Sequence, residues 1–399
     1  MKILQICLRV PWPPNDGGNI AMLNMTRLLE MSGASVSIFA LNTQKHFVPE
    51  SEWTSELKNQ YNLSATAINT SVTVKGAVQN LFRPNESYNI VRFYDEAAAQ
   101  HLAVLLSSQS FDVVVLESVF CAPYLDIIRR NSKAKVVLRA HNVEHVIWER
   151  MARQEKNFFR KSYFSFLARR LKIAEENYAK AMDGTLSITR TDADYFHSIT
   201  KGKPVLPIPV GIDLNDYPDQ RNAALPLALF HLGSMDWQPN AEGVNWFLDS
   251  CWPSMHRQFP ELKLHLAGRG FPPSLMNRSI ENVIMEGTVE KAVDYMQDKQ
   301  IMIVPLKAGS GLRIKILQGL ALGKTIISTT IGCEGIRVTD KENILIADTA
   351  EAFLSAITFC MQHPEKALEI GQNGRALIER EYSNEQLANE LKIFLEELR

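Results

Sequence analysis

The sequence predicts an α/β protein built from two doubly wound parallel-sheet domains, and three observations carry that expectation. The first is length: at 399 residues the chain is long for a single core, and two domains of about 200 residues are the natural division. The second is the recurrence of short apolar runs separated by helical patterns, the rhythm of strand–helix–strand crossovers. The third is Pro204-Val-Leu-Pro-Ile-Pro-Val-Gly-Ile-Asp213, a proline-rich extended stretch near the middle that reads as the domain boundary. The expected division is residues 1–207, residues 208–382 and a last helix over 383–399.

Composition narrows the class. Hydrophobic residues make up 46% and charged residues 22%, as in an ordinary globular protein. Lys and Arg number 43 against 44 acids, which points to no nucleic-acid partner, so an anionic ligand must be met by a local cluster. The five cysteines are scattered and show no C-x-x-C spacing, which suits a reducing cytosol and leaves neither a disulfide framework nor a zinc site. The apolar start, Met1–Leu8, runs into Arg9 and a proline turn, too short for a signal peptide, and no apolar run reaches about 18 residues. The expected setting is therefore cytoplasmic, either free or at the inner face of the membrane, and no cofactor or metal is expected.

In the first domain, strands are expected at 2–8, 35–41, 112–116, 135–140 and 184–189, with a helix over 20–31. The loop Pro11-Trp-Pro-Pro-Asn-Asp-Gly-Gly-Asn19 joins the first strand to that helix. Gly17 and Gly18 there either let a ligand approach the backbone or simply make a tight turn. Residues 68–95 break the rhythm, and Leu81–Tyr94 mixes aromatics with Arg83 and Arg92, as an acceptor loop, a membrane-facing edge or a packed surface excursion would. His141-Asn-Val-Glu-His145 follows a strand directly, which sets His141 at the carboxyl edge where open sheets bind ligands. With no cysteine nearby it makes a poor metal site. Residues 156–172 are basic and aromatic on a helical pattern. Such a helix could lie on an anionic membrane surface, although a packed helix with a solvated basic face is the commoner meaning. Thr191-Asp192-Ala193-Asp194 invites a D-x-D metal reading, but Thr191 and Asp194 fit a helix N-cap pattern, so a helix start is expected there.

In the second domain, strands are expected at 227–233, 261–267, 282–286, 300–305, 324–329 and 343–347. The first ends in a glycine turn where Gly233 and Ser234 offer backbone contacts to a phosphate. The stretch 300–336 organises the rest. A strand, the small-residue loop Ala308–Leu312 with Gly309, Ser310 and Gly311, and a helix Arg313–Leu322 place free N–H groups and a positive helix end at the sheet's carboxyl edge. Arg313 and Lys315 stand at that edge. On one helix they would splay by about 200°, so both can meet one diphosphate only if Arg313 still belongs to the loop. Ile314, Leu317 and Ala321 should face the core, and Lys315, Gln318 and Gly319 the opposite, polar side. Gly319-Leu-Ala-Leu-Gly-Lys-Thr325 mimics a Walker loop but joins a helix to a strand, the wrong polarity, so Gly323 reads as a helix C-cap and Lys324 as a lysine leading into the strand. Ser383-Asn-Glu-Gln386 is a capping box opening the last helix.

The run Pro305-Leu-Lys-Ala-Gly-Ser-Gly-Leu-Arg-Ile-Lys-Ile-Leu317, with Ala321-Leu-Gly-Lys324 and Ser328-Thr-Thr-Ile-Gly-Cys-Glu-Gly-Ile336, resembles the donor-site signature of glycosyltransferase family 4. That resemblance implies a GT-B fold, two Rossmann-like domains facing across a cleft. The first would be the acceptor side and the second the nucleotide-sugar side, with the last helix crossing back to the first. It implies metal-independent, retaining transfer of a hexosyl or related unit to a glycan or lipid-linked glycan of the bacterial polysaccharide type. His141 would reach the donor sugar, with Glu144 held more loosely, and the loop bearing Gly17 and Gly18 would face the diphosphate. There are departures. Val210 replaces the family's linker asparagine, and Met235–Gln238 supply neither the Arg nor the Lys usual after the glycine turn. Two glutamates common in the family fall on Ser310 and Gln318. Gln318 can still bond a ribose hydroxyl, without the charge-assisted strength. Glu334, the acid left in the motif, would contact the sugar or cap its turn. A sugar-nucleotide epimerase or hydrolase on the same fold, or a non-catalytic partner subunit, are the alternatives.

Overall fold

The computed structural model describes residues 1–73, 76, 79–80, 82–83, 86–219, 228–309 and 311–398. The chain forms two compact units, Met1–Val210 with Leu387–Arg399, and Gly211–Gln386. Among the described residues the first holds seven strands: β1 Lys2–Cys7, β2 Ser35–Thr43, β3 Ser64–Ile68, β4 Val113–Glu117, β5 Lys135–Ala140, β6 Gly184–Ser187 and β7 Val205–Pro207. They lie in the order β3-β2-β1-β4-β5-β6-β7, all parallel. The second unit holds β8 Ala228–Leu232, β9 Lys263–Ala267, β10 Val283–Gly287, β11 Ile301–Val304, β12 Thr325–Ser328 and β13 Leu345–Ile346. Their order is β10-β9-β8-β11-β12-β13, again parallel throughout.

Successive strand residues point to opposite faces, and helices cover both faces, which is why these strands read as continuous apolar runs. Leu4 and Ile6 of β1 join one core of the first sheet, while Ile3 and Cys7 join the other. Met302 and Val304 of β11 part in the same way from Ile301 and Ile303. The last helix, Asn384–Glu397, adds Leu387, Leu391, Phe394 and Leu395 to the first unit's core, and the Ser383 hydroxyl accepts the Gln386 N–H at its start. In each sheet the strand order reverses once, between β1 and β4 and between β8 and β11, and the crevice beyond the carboxyl ends at such a switch is where doubly wound sheets take ligands.

Three local expectations need correcting. Val205–Pro207, read as linker, is the edge strand β7, and the Ser64–Ile68 strand β3 went unanticipated; both are edges, where a proline and small polar residues are tolerated. The helix Arg190–Thr200 starts two residues earlier than Thr191 suggests, because the Thr189 hydroxyl accepts the Asp192 N–H. In the helix Ile314–Ala321 the buried stripe is Ile316, Leu317, Leu320 and Ala321, while Ile314 is half-buried. Gly319 lies in the core, where a Cβ would stand 2.9 Å from Met302 Sδ. Gly323 does close that helix, with φ of 67° and its N–H on the Leu320 carbonyl.

Candidate functional site

The second unit's switch point is a cluster of glycines and cations. β8 runs into Gly233, whose N–H donates to the Ala267 carbonyl at 3.0 Å. Gly268 follows β9 with φ of 143°, and a Cβ there would stand 1.9 Å from the Gly233 oxygen, so only glycine lets the two turns meet. From the helix Gln238–Trp246, Asn240 reaches back, its Nδ2 donating to the Ser234 carbonyl at 2.8 Å. Its Oδ1 accepts from Lys315 Nζ at 2.8 Å. A Cβ on Gly233 would come within 2.9 Å of that ammonium, so the bare glycine is what lets Lys315 rest on the turn.

Lys315 is a cation held by a neutral amide. Burial, followed by the nearby charge of Arg313, pulls its pKa down to about 7. His231, fully buried on β8, donates its Nδ1–H to the Ile303 carbonyl, 3.0 Å away, and is driven well below the usual histidine range by burial and by the Lys315 charge. Lys315 thus carries its charge against the cost of desolvation, a cost that an anion beside it would offset.

Arg313 sits at the helix N-cap in an extended conformation, φ −89° and ψ 91°, one step outside the helix whose first turn carries Lys315. That break in geometry brings both cations to the same edge. Gly309 and Gly311 turn the loop with φ of 117° and 88°, and the Arg313 guanidinium donates to the Gly311 carbonyl while lying over Trp237, 5.1 Å from the ring centroid. Burial lowers the Arg313 pKa and the charge of Glu334 counters it, so Glu334 is an electrostatic neighbour of this cation. Gln318 donates to the Tyr217 hydroxyl at 3.0 Å. Ser310 lies outside the described residues.

The first unit's switch point is built from acids. Glu117 ends β4 fully buried, and its two oxygens are both used: Oε1 accepts Gln5 Nε2 at 2.8 Å and Oε2 faces His141 Nε2 at 2.6 Å. Gln5 in turn accepts the Thr26 hydroxyl at 2.6 Å. His141 is thus one end of a buried chain, Thr26–Gln5–Glu117–His141. Beside it, Glu175 accepts the Glu144 N–H at 2.8 Å and faces His145 Nδ1 at 2.7 Å, so His145 is a buried structural residue. Burial and the Glu175 charge push Glu144 up to about 7.

Gly18 has a neighbour that its sequence context does not disclose. Arg9, buried just beyond β1, bonds Asp16 at 2.5 Å, and a Cβ on Gly18 would stand 2.5 Å from its Nη2. Asp16 also accepts the N–H groups of Gly18 and Asn19, so part of this helix start is filled by the chain itself, whereas Gly17 remains at its first position. Among the described residues, no three His, Cys, Asp or Glu side chains gather as a metal-ligand set.

Sequence reasoning missed Asn240, Glu117 and Arg9. Glu117 and Arg9 were within reach of the rule that found His141, since each ends or follows a parallel strand at the ligand edge. Asn240 gave no such signal, because its partner Lys315 is 75 residues away.

Comparison with known proteins bears on the fold. Residues 226–363 match the family model described as Glycosyl transferases group 1. A curated relative, an uncharacterised 44.6 kDa protein of the Klebsiella pneumoniae cps region, is 22% identical over 97% of both chains. Among solved structures, sucrose-phosphate synthase from Thermosynechococcus elongatus superposes with a TM-score of 0.70 at 16% identity, covering 100% of this chain and 99% of that one. Anabaena HepE in complex with UDP-glucose gives 0.63 at 12% identity over 100% of both. The pneumococcal O-GlcNAc transferase GtfA in complex with UDP and GlcNAc gives 0.64 at 12%, over 100% of this chain and 99% of that one. The chain therefore has the fold of GT-B glycosyltransferases, and its second domain carries the match to Glycosyl transferases group 1.

Proposed function

We propose that the protein is a retaining, metal-independent glycosyltransferase of family 4 type, moving a hexosyl or related unit from a nucleotide-sugar to a hydroxyl of a glycan or lipid-linked glycan. The observation that carries this is Lys315: a desolvated ammonium resting on the bare Gly233 turn, held by neutral Asn240, at the switch point of a parallel sheet. A diphosphate supplies the charge that position lacks. The crystallised complexes of HepE with UDP-glucose and of GtfA with UDP make uridine diphosphate sugars the first donors to try.

In this reading the diphosphate lies against the Gly233–Ser234 turn and the Gly309–Gly311 loop. Negative charge grows on the β-phosphate as the glycosidic bond breaks, and Lys315 and Arg313 stabilise it where water is excluded and fixed charges act most strongly. The acceptor hydroxyl attacks from the face that the diphosphate leaves and gives its proton to the departing phosphate, so configuration is retained. Gln318 takes the ribose, Glu334 orients Arg313 or the sugar, and His141, held by Glu117, takes a sugar hydroxyl. The experiment is turnover of a nucleotide-sugar panel with and without acceptor extract, in EDTA. Transfer that needs acceptor and survives EDTA supports the reading. Activity lost in EDTA and restored by manganese, donor hydrolysis or epimerisation without acceptor, or no turnover of any donor would each refute it.

A further inference from the structure

The helix Phe158–Ala181 carries a surface that neither the sheet nor the switch point explains. It is well begun: Asn157 Oδ1 accepts the N–H groups of Phe159 and Arg160 at 3.0 and 3.1 Å. Yet its first turns present Phe158, Phe159, Tyr163 and Phe166 to solvent, 74, 81, 53 and 42% exposed. Aromatic rings are seldom that bare on a globular surface, and three phenylalanines and a tyrosine within nine residues form a patch.

At about 100° per residue these four rings fall within roughly 140° of arc. Phe164, on another side, packs edge-on against Trp148 of the preceding helix, Glu144–Gln154, so the exposed rings are not the packing face turned outward. Arg170, further along, is buried and donates to the carbonyls of Asn80, Arg83 and Glu86 while lying over the Phe166 ring. Those bonds bring Phe82, 83% exposed, to the same region.

Along the helix itself the charges have one sign. Lys156, Arg160, Lys161, Arg169 and Lys172 are all exposed, and residues 156–172 include no acid. Arg160 flanks one side of the aromatic arc and Lys161 and Lys172 the other, while Arg169 lies on the arc itself, a turn beyond Phe166. Two copies of this face would set like charges against each other, which disfavours self-association. Aromatic rings that enter the headgroup layer, ringed by cations that meet lipid phosphates, are the pattern of a helix lying in a bilayer interface. No described helix is long and apolar enough to cross a membrane.

We propose that the N-terminal half of the helix Phe158–Ala181, with Phe82 beside it, docks the protein on a bilayer rich in anionic lipid. The proposal goes beyond the donor reading, and its test involves no turnover, so either can fail alone. The full chain is sedimented with phosphatidylcholine vesicles containing or lacking phosphatidylglycerol, at low and high salt, next to F158S/F159S and K156Q/R160Q/K161Q. Wild type should pellet with the anionic vesicles, less so at high salt, and both variants should bind at least about tenfold more weakly. Unchanged circular dichroism and melting establish that the variants are folded. No pelleting with anionic vesicles, equal binding by wild type and F158S/F159S, or a concentration-dependent dimer that F158S/F159S abolishes in place of vesicle binding would overturn the proposal.

Discussion

The two switch points share a topology and differ in how charge is handled. At the first domain's switch point three acids have partners within the chain: Glu117 has His141 and Gln5, Glu175 has His145 and the helix N–H groups, and Asp16 has Arg9. In the second domain Lys315 faces a neutral amide, and burial draws its pKa down to about 7. A closed charge network orients side chains, whereas a cation without a matching acid stores affinity for an anion that is not part of the chain. In the proposed mechanism the diphosphate therefore goes to the second domain and a positioning task to the first.

The largest effects should follow from removing the second domain's cations. Arg313→Ala and Lys315→Ala should each lower kcat/KM by about 10²–10³, the scale of one lost oxyanion donor or about 3 kcal/mol. Solvated surface charges would cost only some tenths of a kcal/mol. Near-wild-type steady-state kinetics in both folded variants would erase the contrast between the two edges.

In the first domain His141→Ala should lower turnover much more than nucleoside diphosphate affinity, since it leaves the phosphate cluster intact. Glu117→Gln should follow it with a smaller loss. The amide keeps the shape and can still accept from Gln5 or His141, but it removes the charge that holds the imidazole, a change of about 1–3 kcal/mol in that bond's contribution. A shifted pH profile in Glu117→Gln, with donor affinity unchanged, would mark Glu117 as a positioning residue. Equal weakening of nucleotide binding by both substitutions would place His141 in packing rather than at the sugar.

How legible this contrast was in the sequence depends on the range of the contacts. Central strands are buried on both faces and announce themselves as apolar runs, so β1, β4, β5, β8, β11 and β12 could be read directly. Of the edges, β10 and β13 could be read too, but Ser64 and Thr66 hid β3 and the prolines around Val205–Pro207 hid β7. The loop Gly309–Gly311 and the cations beyond it were visible because they are contiguous. The chain Thr26–Gln5–Glu117–His141 joins residues up to 112 apart in sequence between bonded partners, and only the parallel register that sets Cys7 beside Glu117 brings them together.

The central claim is that Lys315 awaits a diphosphate, and proton linkage tests it most directly. A nucleotide-sugar has no phosphate proton that titrates between pH 7 and 9, so uptake there reports the protein. Free Lys315 should be charged below about pH 7 and largely neutral above it, and a bound diphosphate raises its pKa. Donor affinity should then be full below about pH 7 and fall by up to about tenfold per unit above it, with about one proton taken up per donor bound near pH 8. Calorimetry at pH 8 in buffers of different ionisation enthalpy measures that number. Uptake by wild type and none by Lys315→Met is the predicted result; no uptake by wild type, or the same uptake by Lys315→Met, would contradict the account.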